Sequence, residues 1–111
     1  MKFNLCFVPP GGGDQDFAGV VVDAQRVPDA GEYIHLLQRD AVGASFFRVL
    51  LVGTTYTESA SKEGTYSEGD VIVQAEYIEG PEALMSDRHR AVVDAYKKRG
   101  LAVQREPRSG S

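Results

Sequence analysis

Side chains with obvious chemical potential are sparse in this sequence. There are two histidines (His35 and His89), one cysteine (Cys6), and serines scattered through 59–67. A histidine acting as general base or metal ligand needs a partner group within reach, and no H-x-x-x-H or C-x-x-C spacing supplies one. His35 falls in a strand-like stretch with Tyr33 and Leu37. His89 falls in Asp87-Arg88-His89-Arg90, which reads as the surface of a helix. Both read as structural or solvent-facing residues. A nucleophilic Cys6 would need a base and an electropositive setting. It lies out of phase with Phe3, Leu5 and Phe7, so it reads as a small apolar group on a sheet. No G-x-S-x-G elbow is present, and the serines read as loop polarity. The sequence names no catalytic residue, no metal ligands and no cofactor, and it leans away from an enzyme.

The glycine-rich stretch Val8-Pro9-Pro10-Gly11-Gly12-Gly13-Asp14-Gln15-Asp16 invites a phosphate-loop reading. Such a loop needs a lysine and a following helix to supply positive potential. Here two acids and a strand follow instead. Asp14 and Asp16 are too few for a calcium loop. The stretch reads as a connection between two strands.

Charge is more informative. The chain carries a net −4, which argues against a general affinity for nucleic acid, since that rests on Lys and Arg neutralising phosphates. Glu58, Glu63, Glu68, Asp70, Glu76, Glu79, Glu82 and Asp87 face only Lys62, so residues 58–87 are strongly acidic. Residues 88–108 are strongly basic, with Arg88, Arg90, Lys97, Lys98, Arg99, Arg105 and Arg108 against Asp94 and Glu106. Part of this switch suits a helix dipole, with acids at its start and bases at its end. The acids of 58–76 have no such role. Glu58, Glu63, Glu68 and Glu76, with Tyr66 among them, read as an acidic interaction surface for a basic protein or for the basic helix of a second copy. Tyr56, Tyr66 and Tyr77 sit on or beside the strands flanking the acidic loop. Aromatics with polar tips are enriched at binding surfaces, although cross-strand packing explains them equally.

These residues must be carried by a small framework. KFNLCFV (2–8) alternates with period two and reads as a strand. FAGVVVDAQRV (17–27), EYIHLLQRD (32–40), SFFRVLLVGTTYT (45–57) and DVIVQAEYI (70–78) read likewise, with Pro28-Asp29-Ala30-Gly31 as a turn. The stretch 45–57 is apolar on both faces, Phe46, Leu50 and Val52 against Phe47, Val49 and Leu51, and so belongs at the sheet's centre. ESASKEGTYSEG (58–69) reads as an exposed loop. A helix follows over 81–99 or restarts at Ser86 as N-cap. Its apolar stripe comprises Met85, Val92 and Tyr96, with Leu84, Ala91 and Ala95, and Gly100 closes it. LAVQ (101–104) reads as a short edge strand.

At 111 residues the chain is one domain: an α+β fold, with a curled antiparallel sheet of five or six strands and one C-terminal helix packed on it. Residues 1–104 form it. Residues 105–111 read as a disordered tail whose end has the look of a cloning remnant. No apolar run reaches the roughly 18 residues of a membrane span. The N-terminus reads as a first strand rather than a signal peptide, and the single cysteine suits a reducing compartment, so the expectation is cytoplasmic.

Val27-Pro28-Asp29-Ala30-Gly31-Glu32-Tyr33-Ile34-His35-Leu36, followed by Phe47-Arg48-Val49-Leu50-Leu51-Val52, resembles a pattern in small uncharacterised bacterial β-rich proteins. In these a V-P-x-x-G-E turn opens a strand. The general look is similar to proteins carried on mobile gene cassettes. The resemblance covers about residues 20–52 and brings no catalytic residues.

Two functions follow as expectations. The first is a non-enzymatic oligomerising or partner-binding module, most simply a homodimer, because a sheet apolar on both faces needs more cover than one helix gives. The second is a small-molecule or enzymatic pocket between sheet and helix, lined by His35, Phe47, Leu51, Tyr56, Tyr77 and Met85.

Overall fold

The computed structural model describes residues 1–107; the end of the expected tail, 108–111, lies outside them. Five strands and one helix follow in order: β1 (Lys2–Val8), β2 (Val20–Asp23), β3 (Tyr33–Leu36), β4 (Ser45–Glu58), β5 (Tyr66–Tyr77) and α1 (Asp87–Lys98), with a short 3₁₀ turn at Glu82–Leu84. The fold is α+β. The sheet has order β2-β1-β5-β4-β3 and curls into a half-barrel.

The sheet is mixed rather than wholly antiparallel. Consecutive strands joined without helices do pair antiparallel: β1 with β2, β3 with β4, β4 with β5. The pair joining these two units, β1 with β5, is parallel. Its partners are far apart in sequence, so no short connection dictates their direction.

The concave face carries Phe3, Leu5 and Phe7 of β1, Phe47 and Val49 of β4, and Val71, Val73, Ala75 and Tyr77 of β5, all buried. Two features cover it. At one end α1 lays His89, Val93 and Tyr96 against it. Across the opening runs the segment 24–32, which must cross because β2 and β3 lie at opposite edges. It is pinned at Val49, where Gly31 N donates to Val49 O and Val49 N to Glu32 O, both at 2.8 Å. A smaller cluster, Ala44, Phe46, Ile78 and Met85, packs on the other face.

A β-bulge decides the faces of β4. Val49 pairs with Ala75 and Leu51 with Gln74, so Leu50 is an extra residue with no partner. Before it, odd-numbered residues face the concavity; after it, even-numbered ones do, and Val52 opposes Val73. Leu51, expected beside Phe47, is therefore on the opposite face.

The expected loop at 58–69 is shorter than its composition suggests, because Glu58 ends β4 and residues 66–69 open β5. β4 and β5 continue past the rest of the sheet as a two-stranded arm that turns at 59–65. β1 meets β5 no further out than Ile72, and β3 meets β4 only over residues 45–48. The arm gives the molecule its length, 54 × 30 × 30 Å. Its polar composition concealed it, because a ribbon with both faces in water needs no apolar alternation.

The helix takes the second of its two expected starts, the Ser86 cap, whose hydroxyl accepts from His89 N. Three further expectations change. The buried stripe of α1 is His89, Val93 and Tyr96, while Ala91 and Ala95 face solvent. Residues 101–104 form no named strand. Arg105 and Glu106, expected in a tail, instead join the fold: Glu79 N donates to Gln104 O and Glu106 N to Glu79 O. The Glu79 carboxylate receives Lys97 Nζ at 2.9 Å, which holds its pKa below the usual range.

Candidate functional site

The six residues expected to share a pocket are distributed over three places. Phe47 and Tyr77 line a cavity of about 230 Å³ between the concave face and α1. His35 and Met85 lie on the opposite side of the sheet, in an open apolar groove of about 550 Å³. Leu51 and Tyr56 are exposed on the outer part of β4.

The groove is floored by Phe46 and Met85 and edged by Leu37, Val42 and Leu84, which are exposed, Val42 to 95%. At its rim His35 Nε2 lies 2.6 Å from Glu106 Oε1, and the imidazole rests on the Phe46 ring at 4.6 Å between centroids. Two glycines let its walls meet. A Cβ on Gly80 would fall 2.6 Å from the Phe46 ring. One on Gly43, which has φ +92°, would fall 2.8 Å from the Met85 and Ser86 backbone.

The cavity is partly open to solvent, and aromatic rings form much of its wall. Phe7 and Phe47 stand 4.7 Å apart, Phe47 and Tyr77 4.9 Å, and Phe17 closes the outer side edge-on to Tyr77 at 5.7 Å. Burial pushes the Tyr77 hydroxyl pKa up to about 12, so it stays neutral.

His89 belongs to this wall and is 1% exposed, not on the helix surface as expected. The sequence did hold a signal: residues 89, 92, 93 and 96 share one helical face. Its Nε2 lies 2.8 Å from Ile78 O and 3.3 Å from Phe46 N. A bare lone pair at 2.8 Å from a carbonyl oxygen would repel it, so Nε2 carries the proton and donates to Ile78, which leaves the Phe46 N–H aimed at a nitrogen with no free lone pair. Nδ1 is then an acceptor, and among the described residues it has no hydrogen-bond partner. Burial lowers the pKa of His89 and keeps it neutral.

The acidic surface divides as well. Register pairs Tyr56 with Glu68 and Glu58 with Tyr66 on the arm. The strand period places these four on one face, a continuation of the concave side. That continuity survives a second irregularity, where Gly69 and Asp70 together oppose Thr55. Tyr56 and Tyr66 are 60% and 61% exposed. Glu63 lies in the turn, which Glu58 braces by accepting from Gly64 N at 2.8 Å.

Glu76 is not part of any surface. It is 2% exposed and held by Arg48 Nη1 at 3.2 Å and by Gly11 N at 2.8 Å. The glycine-rich connection does bind an anion through a backbone amide, and that anion is the protein's own carboxylate.

At the other end of the long axis the outer side of α1 presents a shallow groove. Ala91, Val92 and Ala95 form its floor, Phe17 one wall, and Arg99, paired with Asp16 at 3.5 Å, its end. Lys98 continues the exposed side of the helix one turn beyond Ala95.

Among the described residues no helix is long and apolar enough to cross a membrane, and no group of three or more His, Cys, Asp or Glu stands together as a metal site. Comparison with known protein families, with curated proteins and with solved structures finds no match.

Proposed function

We propose that this protein is a self-associating binding module whose arm docks on α1 of a second copy. One observation carries the reading: the two ends of the molecule are complementary. The arm offers exposed Tyr56 and Tyr66 set between Glu58 and Glu68. The helix offers a mostly apolar groove ending at Arg99, which Asp16 holds at 3.5 Å, with exposed Lys98 beside it as the second base. Tyrosines are common anchors of interfaces, and carboxylates flanking them suit a basic rim.

Geometry supports a closed pair. β4 runs from Phe47, in ring contact with His89 of α1, to Glu58 on the arm, so arm and helix lie at opposite ends. Two copies side by side and antiparallel bring each arm to the other's helix, a two-fold arrangement that closes on itself.

Sedimentation equilibrium tests this directly. A dimer is expected at micromolar concentration, weakening as salt rises. Tyr56→Asp with Tyr66→Asp abolishes it. Lys98→Glu with Arg99→Glu weakens it, as does Glu58→Lys with Glu68→Lys, and mixing those two charge-reversed proteins restores both contacts, because each arm then meets a helix of opposite charge. A monomeric wild-type chain overturns the reading. So does a dimer that ignores these changes and is broken by Val42→Asp with Leu84→Asp, which would place the interface in the groove beside His35.

A further inference from the structure

The cavity between the concave face and α1 has features the docking reading does not use. Its size is one constraint. At about 230 Å³ it exceeds the roughly 150 Å³ that accepts benzene and falls short of the 300 Å³ or more typical of larger ligands. It suits one ring, or an alkyl chain of similar bulk. Its walls are the second constraint: Phe7, Phe17, Phe47 and Tyr77 offer ring faces and edges to an apolar body.

Its polar groups are the third. No carboxylate lines it. Donors come from the Arg88 guanidinium, the Gln38 amide nitrogen and the Ser45 hydroxyl, which donates to Gln38 Oε1 over a long 3.5 Å that a ligand oxygen can replace. The acceptors are that Gln38 oxygen and the Nδ1 of buried His89, unpartnered among the described residues.

Arg88 is the charge that decides the class of ligand. Arg26, Arg48, Arg90, Arg99 and Arg105 are each paired to a carboxylate. Arg88 forms no ion pair among the described residues. Asp16, close enough to Tyr77 to raise its pKa, is committed to the Tyr96 hydroxyl at 2.8 Å and to Arg99 at 3.5 Å. An acid-free, donor-lined cavity with one uncommitted guanidinium favours an anion. Aromatic walls around a one-ring volume favour an apolar body on it.

We propose that this cavity binds a small organic carboxylate of one-ring size, its carboxylate held by Arg88 and Ser45 and its body packed among Phe7, Phe47 and Tyr77. The site is complete within one chain and does not require the dimer.

Benzoate is the probe. Titrated into the full chain and followed by heteronuclear NMR, it is expected to give saturable shifts centred on Phe47, Tyr77, Arg88 and His89. Arg88→Gln should weaken binding about tenfold or more, the worth of a charge-assisted hydrogen bond. Benzamide, the same size without charge, should bind wild type more weakly by a similar factor. Ala18→Trp, which places bulk at the cavity's outer wall, should block benzoate with Arg88 intact. The same titration on the Tyr56→Asp, Tyr66→Asp protein should give unchanged affinity, separating the cavity from the docking surface. Absence of saturable shifts, equal affinity for benzamide, or full affinity in Arg88→Gln or Ala18→Trp would each overturn the proposal.

Discussion

The two halves of the β4–β5 hairpin are the same pair of strands in two environments. Near the helix, Phe47, Val49, Ala75 and Tyr77 are buried under α1 and the crossing segment. Beyond Val52 the same ladder continues into solvent with tyrosines, threonines and acids. The backbone pairing is alike in both; the cover is not. Hydrogen-bonded pairing alone leaves a two-stranded ribbon marginal in water, so the inner half supplies the stability that the outer half draws on. The inner half is where substitution unfolds the protein. The outer half is where substitution is expected to leave the fold intact.

The largest break is expected where the body's two faces are sutured. Gly43→Ala must place a Cβ against the Met85–Ser86 backbone at a positive φ. It should cost about 3 kcal/mol or more in urea unfolding, at the severe end for one substitution.

The sharpest comparison uses a cross-strand pair. Val73 and Val52 oppose each other on one face, yet Val73 is fully buried and Val52 is 40% exposed. Val73→Ala should cost about 2–3 kcal/mol, from lost burial plus a cavity. Val52→Ala should cost about 0.5 kcal/mol or less. Equal losses would mean that the arm is covered in solution.

A pH scan probes the inner end. His89 has its pKa lowered by burial, so from the ordinary 6.5 downward the unfolded chain takes up a proton that the folded chain refuses. Stability should fall as pH drops from 7.5 to 5.5, by at most about 1.4 kcal/mol per pH unit below 6.5. His89→Gln should flatten that slope. The depressed carboxylates of Glu32 and Glu79 act in a lower window, below their ordinary 4.5. The smallest stability effect is expected on the arm, where Tyr56→Asp with Tyr66→Asp should move the unfolding free energy of the monomer by about 0.5 kcal/mol or less. Sedimentation should nonetheless change completely.

Much of the framework was legible. Period-two alternation in 2–8 and 70–78 located β1 and the inner part of β5, and the double-faced run at 45–57 located the central β4. Ser86 as cap and Gly100 as terminator located the helix. His89 was legible too, had its spacing to Val93 and Tyr96 outweighed its charged neighbours. Less legible were the residues whose partners lie far away. Glu76 looks like one more acid in an acidic stretch until Arg48 and Gly11 are brought to it. His35 and Tyr77, both aromatic strand residues, end on opposite faces of the sheet.

The sequence by itself determined the α+β class, the inner strands, the capped helix and the separation of acidic from basic blocks. Each is written in local periodicity, turn chemistry or a count of charges. Only the tertiary structure decided that the sheet is mixed, that the acidic stretch is a projecting arm, and which residues share a cavity. The physical reason is concentrated at Leu50. One unpaired residue in β4 exchanges the faces of every residue after it, and no local signal distinguishes that bulge from continuous strand. It sends Leu51 away from Phe47 and turns Tyr56 toward the continuation of the concave side.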